Sequence, residues 1–316
     1  MRAAAALAVA LAWACATRPA ATDPLALVRR GPDRARTSYR ERAPSAKAAL
    51  LARLNADRAR AGVPAVAYDL VGAKAGDDFC LEAARTGVMG HWDLAGRAPY
   101  DRWADAGGVD FHAENFSGSS RRGQPSFRES DIEELLLSAH ARMLAEKPPQ
   151  DGHRKTILDP QWTHVGFGAY VEDGEFRMTE EFSQQVLPWI EIPASPLRGV
   201  RSAPFAAQLP KGWSLAAVEI AHERFPRPMT AKDIRRRDAY QFPAGTSTLY
   251  PRLFPPHRYA DGSQGDVLVS GGTLRADLPL LSGPGSYWVF VYAAPGAVEG
   301  RALSPVTAVR ITLEGR

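Results

Sequence analysis

Two histidines and a glutamate stand out in this chain for the chemistry their surroundings suggest. His153 lies in Gly152-His153-Arg154, ahead of Ile157-Leu158-Asp159-Pro160 and Val165-Gly166-Phe167-Gly168; His91 lies in Gly90-His91-Trp92, and Glu114 precedes Asn115. Neutral imidazole nitrogens suit zinc or another first-row divalent ion, and a neighbouring carboxylate can coordinate it or orient a bound water. Open to water, such a centre would polarise a carbonyl or lower the pKa of water, with Glu114 as general base. The same groups can also hold a cation or one another without any reaction, or tie a helix to a sheet as satisfied polar residues. Binding, catalysis and structure are three open roles for one set of residues.

The elements that must position them begin near Ala46, where Leu50, Leu51, Leu54 and Arg58 recur at helical spacing and Gly62 stops the run before Val63-Pro64. A second helix is predicted from Leu70, with Val71, Ala75, Phe79 and Ala83 on one face, Gly87 as terminator and Cys80 as a buried, inert thiol. A third opens at Ser130, with Glu133 closing a capping box and Ile132, Leu135, Leu136, Ala139 and Met143 turned inward, and ends before Pro148-Pro149. Alternating Val165 to Val171 and Phe176 to Phe182, joined at Asp173-Gly174, predict a β-hairpin. His112 reads as a surface residue or one lining the rim beside Glu114, His140 as partly exposed, His164 as a surface or packing residue, and Ser117-Gly118-Ser119-Ser120 as a loop.

From Leu187 the texture changes. Pro188, Pro193, Pro196 and Pro204 punctuate a predicted linker over 188–203, and short apolar runs between Gly and Pro follow, at Leu215 to Ile220, Val267 to Val269, Tyr287 to Tyr292 and Val306 to Leu313. Their lengths predict a small β-sandwich over 204–316, immunoglobulin-like or fibronectin-like. His222 and His257 are isolated there. The fold class expected for the whole is α+β.

Over 46–187 the chain resembles a CAP-superfamily domain, the group of cysteine-rich secretory, antigen 5 and pathogenesis-related 1 (SCP-like) proteins, in a disulfide-free bacterial form. The resemblance rests on Leu54-Asn55 with Arg58, Gly62-Val63-Pro64, Gly90-His91, Tyr100-Asp101-Arg102, Glu114-Asn115, Gly152-His153-Arg154 and Val165-Gly166-Phe167-Gly168, in that order. It implies an α-β-α sandwich with a central cavity displaying two histidines and two acids on a concave face. Carried over, these are His91, Glu114, Glu146 and His153, with Met143 in the aromatic slot that precedes the second acid. Ala113 stands where the family places glycine, and Trp92-Asp93 replaces a small hydroxyl residue after His91. The resemblance implies a secreted binding module holding Zn2+ or another divalent cation and an extracellular or cell-envelope ligand, a lipid, polymer or protein. The alternative is a metal-dependent hydrolase of peptide or ester bonds using Glu114.

The N-terminus reads as an export signal over 1–21: Arg2, an apolar run from Ala3 to Ala14, then small residues around Cys15. Leu11-Ala12-Trp13-Ala14-Cys15 is similar to a lipobox, so Cys15 is a candidate lipid anchor and the one expected route to a membrane. An Arg- and Pro-rich tether follows over 22–45, and the expected location is extracytoplasmic, secreted, periplasmic or lipid-anchored. Without Cys15 only Cys80 remains, so no disulfide can form within the chain. Of 39 basic residues 33 are arginine, scattered without interleaved aromatics, so a net charge of +4 does not mark a nucleic-acid partner.

Overall fold

A computed structural model describes residues 27–30, 39–121, 127–237 and 239–315. The export signal and Cys15 lie outside the described residues. The fold is mixed. Strand β1 (Leu27–Arg30) precedes α1 (Pro44–Arg60), β2 (Ala67–Tyr68), α2 (Leu70–Thr86), α3 (Pro99–Asp105), β3 (Phe111–Ser120), α4 (Ile132–Leu144), α5 (Gly152–Leu158), β4 (His164–Glu172) and β5 (Glu175–Gln184). The second part holds β6 (Trp189–Pro193), β7 (Leu197–Arg198), β8 (Ser202–Gln208), β9 (Trp213–Glu223), α6 (Ala231–Ile234), β10 (Gly245–Leu249), β11 (Leu268–Ser270), β12 (Thr273–Pro279), β13 (Gly285–Pro295) and β14 (Val309–Glu314).

The first sheet runs β2-β4-β5-β3, which leaves β3 at an edge. One face packs on α1, α4 and α5 through Leu50, Leu54, Leu136, Met143, Ile157, Phe167, Phe176 and Phe182. The other face receives α2, and the approach is closer than side chains allow. A Cβ on Gly76 would sit 2.6 Å from the backbone nitrogen of Gly168, and one on Gly166 would sit 2.5 Å from the carbonyl oxygen of Asp69. Gly72 and Gly76, one helical turn apart, thus meet Gly166 and Gly168 with backbone on backbone. Asp69 caps α2 by accepting from the Val71 N–H, and Asp77 accepts from the Ala169 N–H at 2.8 Å and from buried Lys47 at 2.9 Å.

Several sequence expectations change here. The predicted linker over 188–203 holds β6, β7 and the start of β8, and β1, from the predicted tether, pairs with β6. Pro193 and Pro204 fit because one ends its strand and the other lies where β8 has run past β6. The third helix starts at Ile132, not Ser130; its N-cap is Asp131, without a side-chain cap bond. Ser117 to Ser120 are strand, paired with Glu175 to Met178. The Asp173-Gly174 turn does close a hairpin, both residues taking positive φ. In the second part, two five-stranded sheets, β1-β6-β8-β12-β11 and β10-β9-β13-β14-β7, enclose one core that includes Ile190, Phe205, Val218, Leu274, Val289 and Ile311.

His140 is buried, not partly exposed. Its Nδ1 lies 2.6 Å from Glu180 and its Nε2 3.2 Å from Asp57, so the ring links α1, α4 and β5. Burial alone would lower its pKa, but the hydrogen bonds and charges of Glu180 and Asp57 outweigh it and raise the pKa above 6.5. A raised folded-state pKa contributes stability that is fully present below pH 6.5 and lost as pH rises through the folded value. Urea unfolding should therefore show His140→Gln costing about 3 kcal/mol in acid buffer and less in alkaline buffer. A cost that does not vary with pH would exclude a charged His140. The glycine contact makes a second prediction: Gly76→Ala should cost about 2–3 kcal/mol. At Gly152, where a Cβ meets nothing within 4 Å, alanine should stay within about 0.5 kcal/mol of wild type.

Candidate functional site

Five consecutive residues, Phe111 to Asn115, line one cavity of about 650 Å3. In a strand neighbouring side chains point to opposite faces, so such a run reaches one space only across a sheet edge. The cavity wraps the edge of β3, whose Phe111 N–H is taken by Val306, and faces the start of α5 and the segment Ala239 to Phe242 of the second part.

The structure brings His91, Glu114, Glu146 and His153 to this cavity as two pairs. His91 Nδ1 is 2.8 Å from Glu114 Oε1, and His153 Nδ1 is 2.5 Å from Glu146 Oε1, whose other oxygen accepts from the His153 N–H at 3.0 Å. Pro148 to Gln150 do not carry Glu146 away. Among the described residues no group of three or more His, Cys, Asp or Glu forms a ready metal cage.

Glu114 is fully engaged. Its Oε2 takes the Arg102 guanidinium at 2.5 Å, and Arg102 also donates to the carbonyls of His91 and Arg97. That guanidinium lies 3.6 Å from the Phe79 ring centroid, which covers it from α2. Burial would raise the Glu114 pKa, yet Arg102 and His91 outweigh it and hold the carboxyl below its usual range. Across the ladder, burial and the Glu114 charge push Glu181 well above its usual range. His112, expected at the surface, is buried, stacked on Trp103 with centroids 4.8 Å apart and 2.7 Å from Glu181. Burial lowers its pKa to about 3, so it is neutral. Burial and the Glu114 charge thus favour the uncharged form of Glu181, while Arg102 and His91 favour the charged form of Glu114.

Five partners of these residues carry no assignment from the sequence. Arg102 stands in a quoted motif but had no role assigned, and His112 was set aside. Glu180 carried a signal, since it stands in the alternate row otherwise occupied by Phe176, Met178 and Phe182, where an acid must be covered along with them; Glu181, in the polar row, carried none. Tyr240 had none, lying far along the chain in an arginine-rich segment. Its hydroxyl accepts from the Glu114 N–H at 2.5 Å, and its ring lies edge-on to His91 at 5.0 Å. Trp92, beside His91, is buried against Tyr240 at 6.5 Å. The contact is part of a larger seam: Val88, Trp92, Tyr100 and Phe116 form one apolar cluster with Ile234, Trp288, Phe290 and Ala308. Cys80 is buried and free, its pKa raised by burial. His164 pairs with Thr163, and His222 packs on Tyr287, away from the cavity.

No protein-family model matches the chain, and none of the curated proteins matches it. Among solved structures the chain resembles SCP/CAP-domain proteins over part of its length. An extracellular SCP-domain protein from Bacillus anthracis str. Ames is 20% identical over 44% of this chain and 40% of its own length, with a TM-score of 0.34. NaASP2, solved with Zn2+, is 16% identical over 44% of this chain and 80% of its own, TM-score 0.33. An outer surface protein from Borrelia burgdorferi is 10% identical over 47% of this chain and 99% of its own, TM-score 0.36. The match spans less than half of the Bacillus protein. At these identities and scores none of the likenesses bears on function.

Tyr240 makes the cavity a joint product of both parts. Tyr240→Phe removes the cap from the edge N–H of Glu114 and should cost about 1 kcal/mol; Tyr240→Ala also empties the wall and should cost about 3. A Tyr240→Phe variant as stable as wild type would remove the hydroxyl from the account.

Proposed function

We propose that this chain is an exported binding protein in which a CAP-like module and an accessory β-sandwich of immunoglobulin-like or fibronectin-like type together hold a divalent cation of the zinc class and an extracellular or envelope ligand. The observation that carries the reading is the pair of histidine–glutamate couples facing one cavity. Each carboxylate is bound to a ring Nδ1, which fixes the imidazole and leaves Nε2 as the nitrogen available to a metal. Among the described residues no hydrogen bond occupies either Nε2. The residues fit the ion in this sense: His91 and His153 would be the direct ligands, with Glu114 and Glu146 behind them rather than beside them. A zinc ion held so would leave coordination positions open for an oxygen or nitrogen of the ligand.

Catalysis through Glu114 is the weaker reading. A general base needs a pKa near the working pH and a free lone pair aimed at substrate. Glu114 is held ionised by Arg102 and has both oxygens engaged. Its chemistry suits orienting His91. The remaining hydrolase route, with Glu146 as base, has that carboxylate bound to both the ring and the backbone of His153. Export and an extracytoplasmic location fit the N-terminal sequence, and no helix among the described residues is long and apolar enough to cross a membrane. A lipid anchor at Cys15 is part of the same proposal.

Calorimetric titration with Zn2+ tests it. Wild type should bind one ion; His91→Ala/His153→Ala should lose the heat, and Glu146→Gln should weaken affinity by about 10–100-fold, the range for a residue that orients a ligand. Equal heats from wild type and the double variant would remove the site.

A further inference from the structure

The segment between β9 and α6, continuing to Tyr240, is not only the wall of the cavity. Over residues 224–237 it carries Arg224, Arg227, Lys232, Arg235, Arg236 and Arg237 against one acid, Asp233. All seven side chains are exposed. Arg227, Arg236 and Arg237 line a separate concavity of about 540 Å3 with Gly96, Pro228, Met229 and Asp233.

Its walls are built rather than draped. The Met229 N–H donates to the Leu94 carbonyl at 2.9 Å, and the Arg227 backbone rests against Gly96, whose φ of 80° and close contact admit no side chain. Thr230 and Asp233 cap the short turn reciprocally, so the Asp233 carboxylate accepts from the Thr230 hydroxyl at 2.6 Å and from its N–H at 3.2 Å. Ile234 is buried against the Gly90 backbone, anchoring the arginine run that follows. The Arg237 guanidinium lies over the Trp92 ring at 4.8 Å, which holds the cation in place while leaving its N–H groups to solvent. Among the described residues none of the three arginines forms an ion pair within 4.0 Å of a carboxylate.

We infer that this concavity binds a phosphoryl group. Three guanidiniums against one carboxylate leave a net charge of two, the complement of a phosphomonoester or pyrophosphate dianion. Planar guanidinium forks make paired bonds to tetrahedral oxyanions, and several oxygens can be met from different sides at once. A carboxylate ligand, with one charge and two oxygens, would leave one guanidinium unmatched. The phosphoryl group can arrive on a soluble molecule or on a lipid whose head group is itself a phosphomonoester, and both offer the same terminal oxygens to the arginines.

Calorimetry with full-length protein and inorganic pyrophosphate, beside sedimentation with phosphatidic acid or phosphatidylcholine vesicles, tests the inference. Wild type should bind pyrophosphate saturably at one site or phosphatidic acid vesicles in preference to phosphatidylcholine, and the first result assigns a soluble source, the second a lipid one. Arg236→Ala/Arg237→Ala should weaken that binding by about tenfold or more, the scale of a lost charge-assisted bond. Arg201→Ala/Arg275→Ala removes the same charge from exposed positions elsewhere and should bind as wild type does. Circular dichroism melts should show both double variants folded. Absence of binding to either probe, or an equal loss in both double variants, would overturn the site. Because no zinc is added, failure here leaves the cavity reading untouched.

Discussion

The site depends on a contact in which no side chain takes part. Gly72 and Gly76 of α2 lie against Gly166 and Gly168 of β4, so helix and sheet meet at backbone distance. That depth fixes the rest. It lowers Asp77 far enough to take the Ala169 N–H, and it brings Phe79 under the guanidinium of Arg102. Arg102 in turn holds both Glu114 and the carbonyl of His91. A helix standing off by the width of a methyl group would leave Arg102 uncovered and Glu114 buried beside a loose cation.

Around that contact the interior handles its acids in different ways. Glu114 is held toward its charged form because Arg102 and His91 answer it, whereas Glu181, close by on the next strand, is pushed toward its neutral form because a second uncompensated charge there would cost several kcal/mol. His112 is neutral because burial lowers its pKa to about 3, whereas Glu180 and Asp57 raise the pKa of His140. Two buried histidines in one module thus shift in opposite directions. Each follows from which partner lies within hydrogen-bond reach.

What the sequence revealed follows from what local chemistry can encode. The helices α1 and α2 were legible because apolar spacing and the Gly62 and Gly87 stops are local signals, and the β4–β5 hairpin because Asp173-Gly174 takes positive φ at both turn positions. His91, Glu114, Glu146 and His153 were legible through an ordered family pattern, and they do reach one cavity. Their arrangement as two couples was not, because one depends on how the α4–α5 connection folds back under His153 and the other on how the segment between α2 and α3 meets β3. Ser117 to Ser120 read as loop because serine and glycine lack strand preference; pairing with β5 overrides it. Proline spacing suggested a linker where prolines in fact sit at strand ends and unpaired stretches. Tyr240 was illegible in principle: its role exists only once the two parts have docked.

The edge of β3 carries a further consequence, one of timing. The backbone of Phe111 and Val109 is completed by Val306 and Ala308, and Glu114 by Tyr240. A ribosome adds about 5–20 residues per second, so the strand that carries Glu114 waits roughly ten seconds or more for the residues that close it. Through that interval its open edge is a surface on which another chain can pair. Crossing a membrane unfolded and folding only after delivery would shorten this exposure. The order in which the cavity is assembled therefore favours a chain that meets its final compartment with all of its sequence in hand.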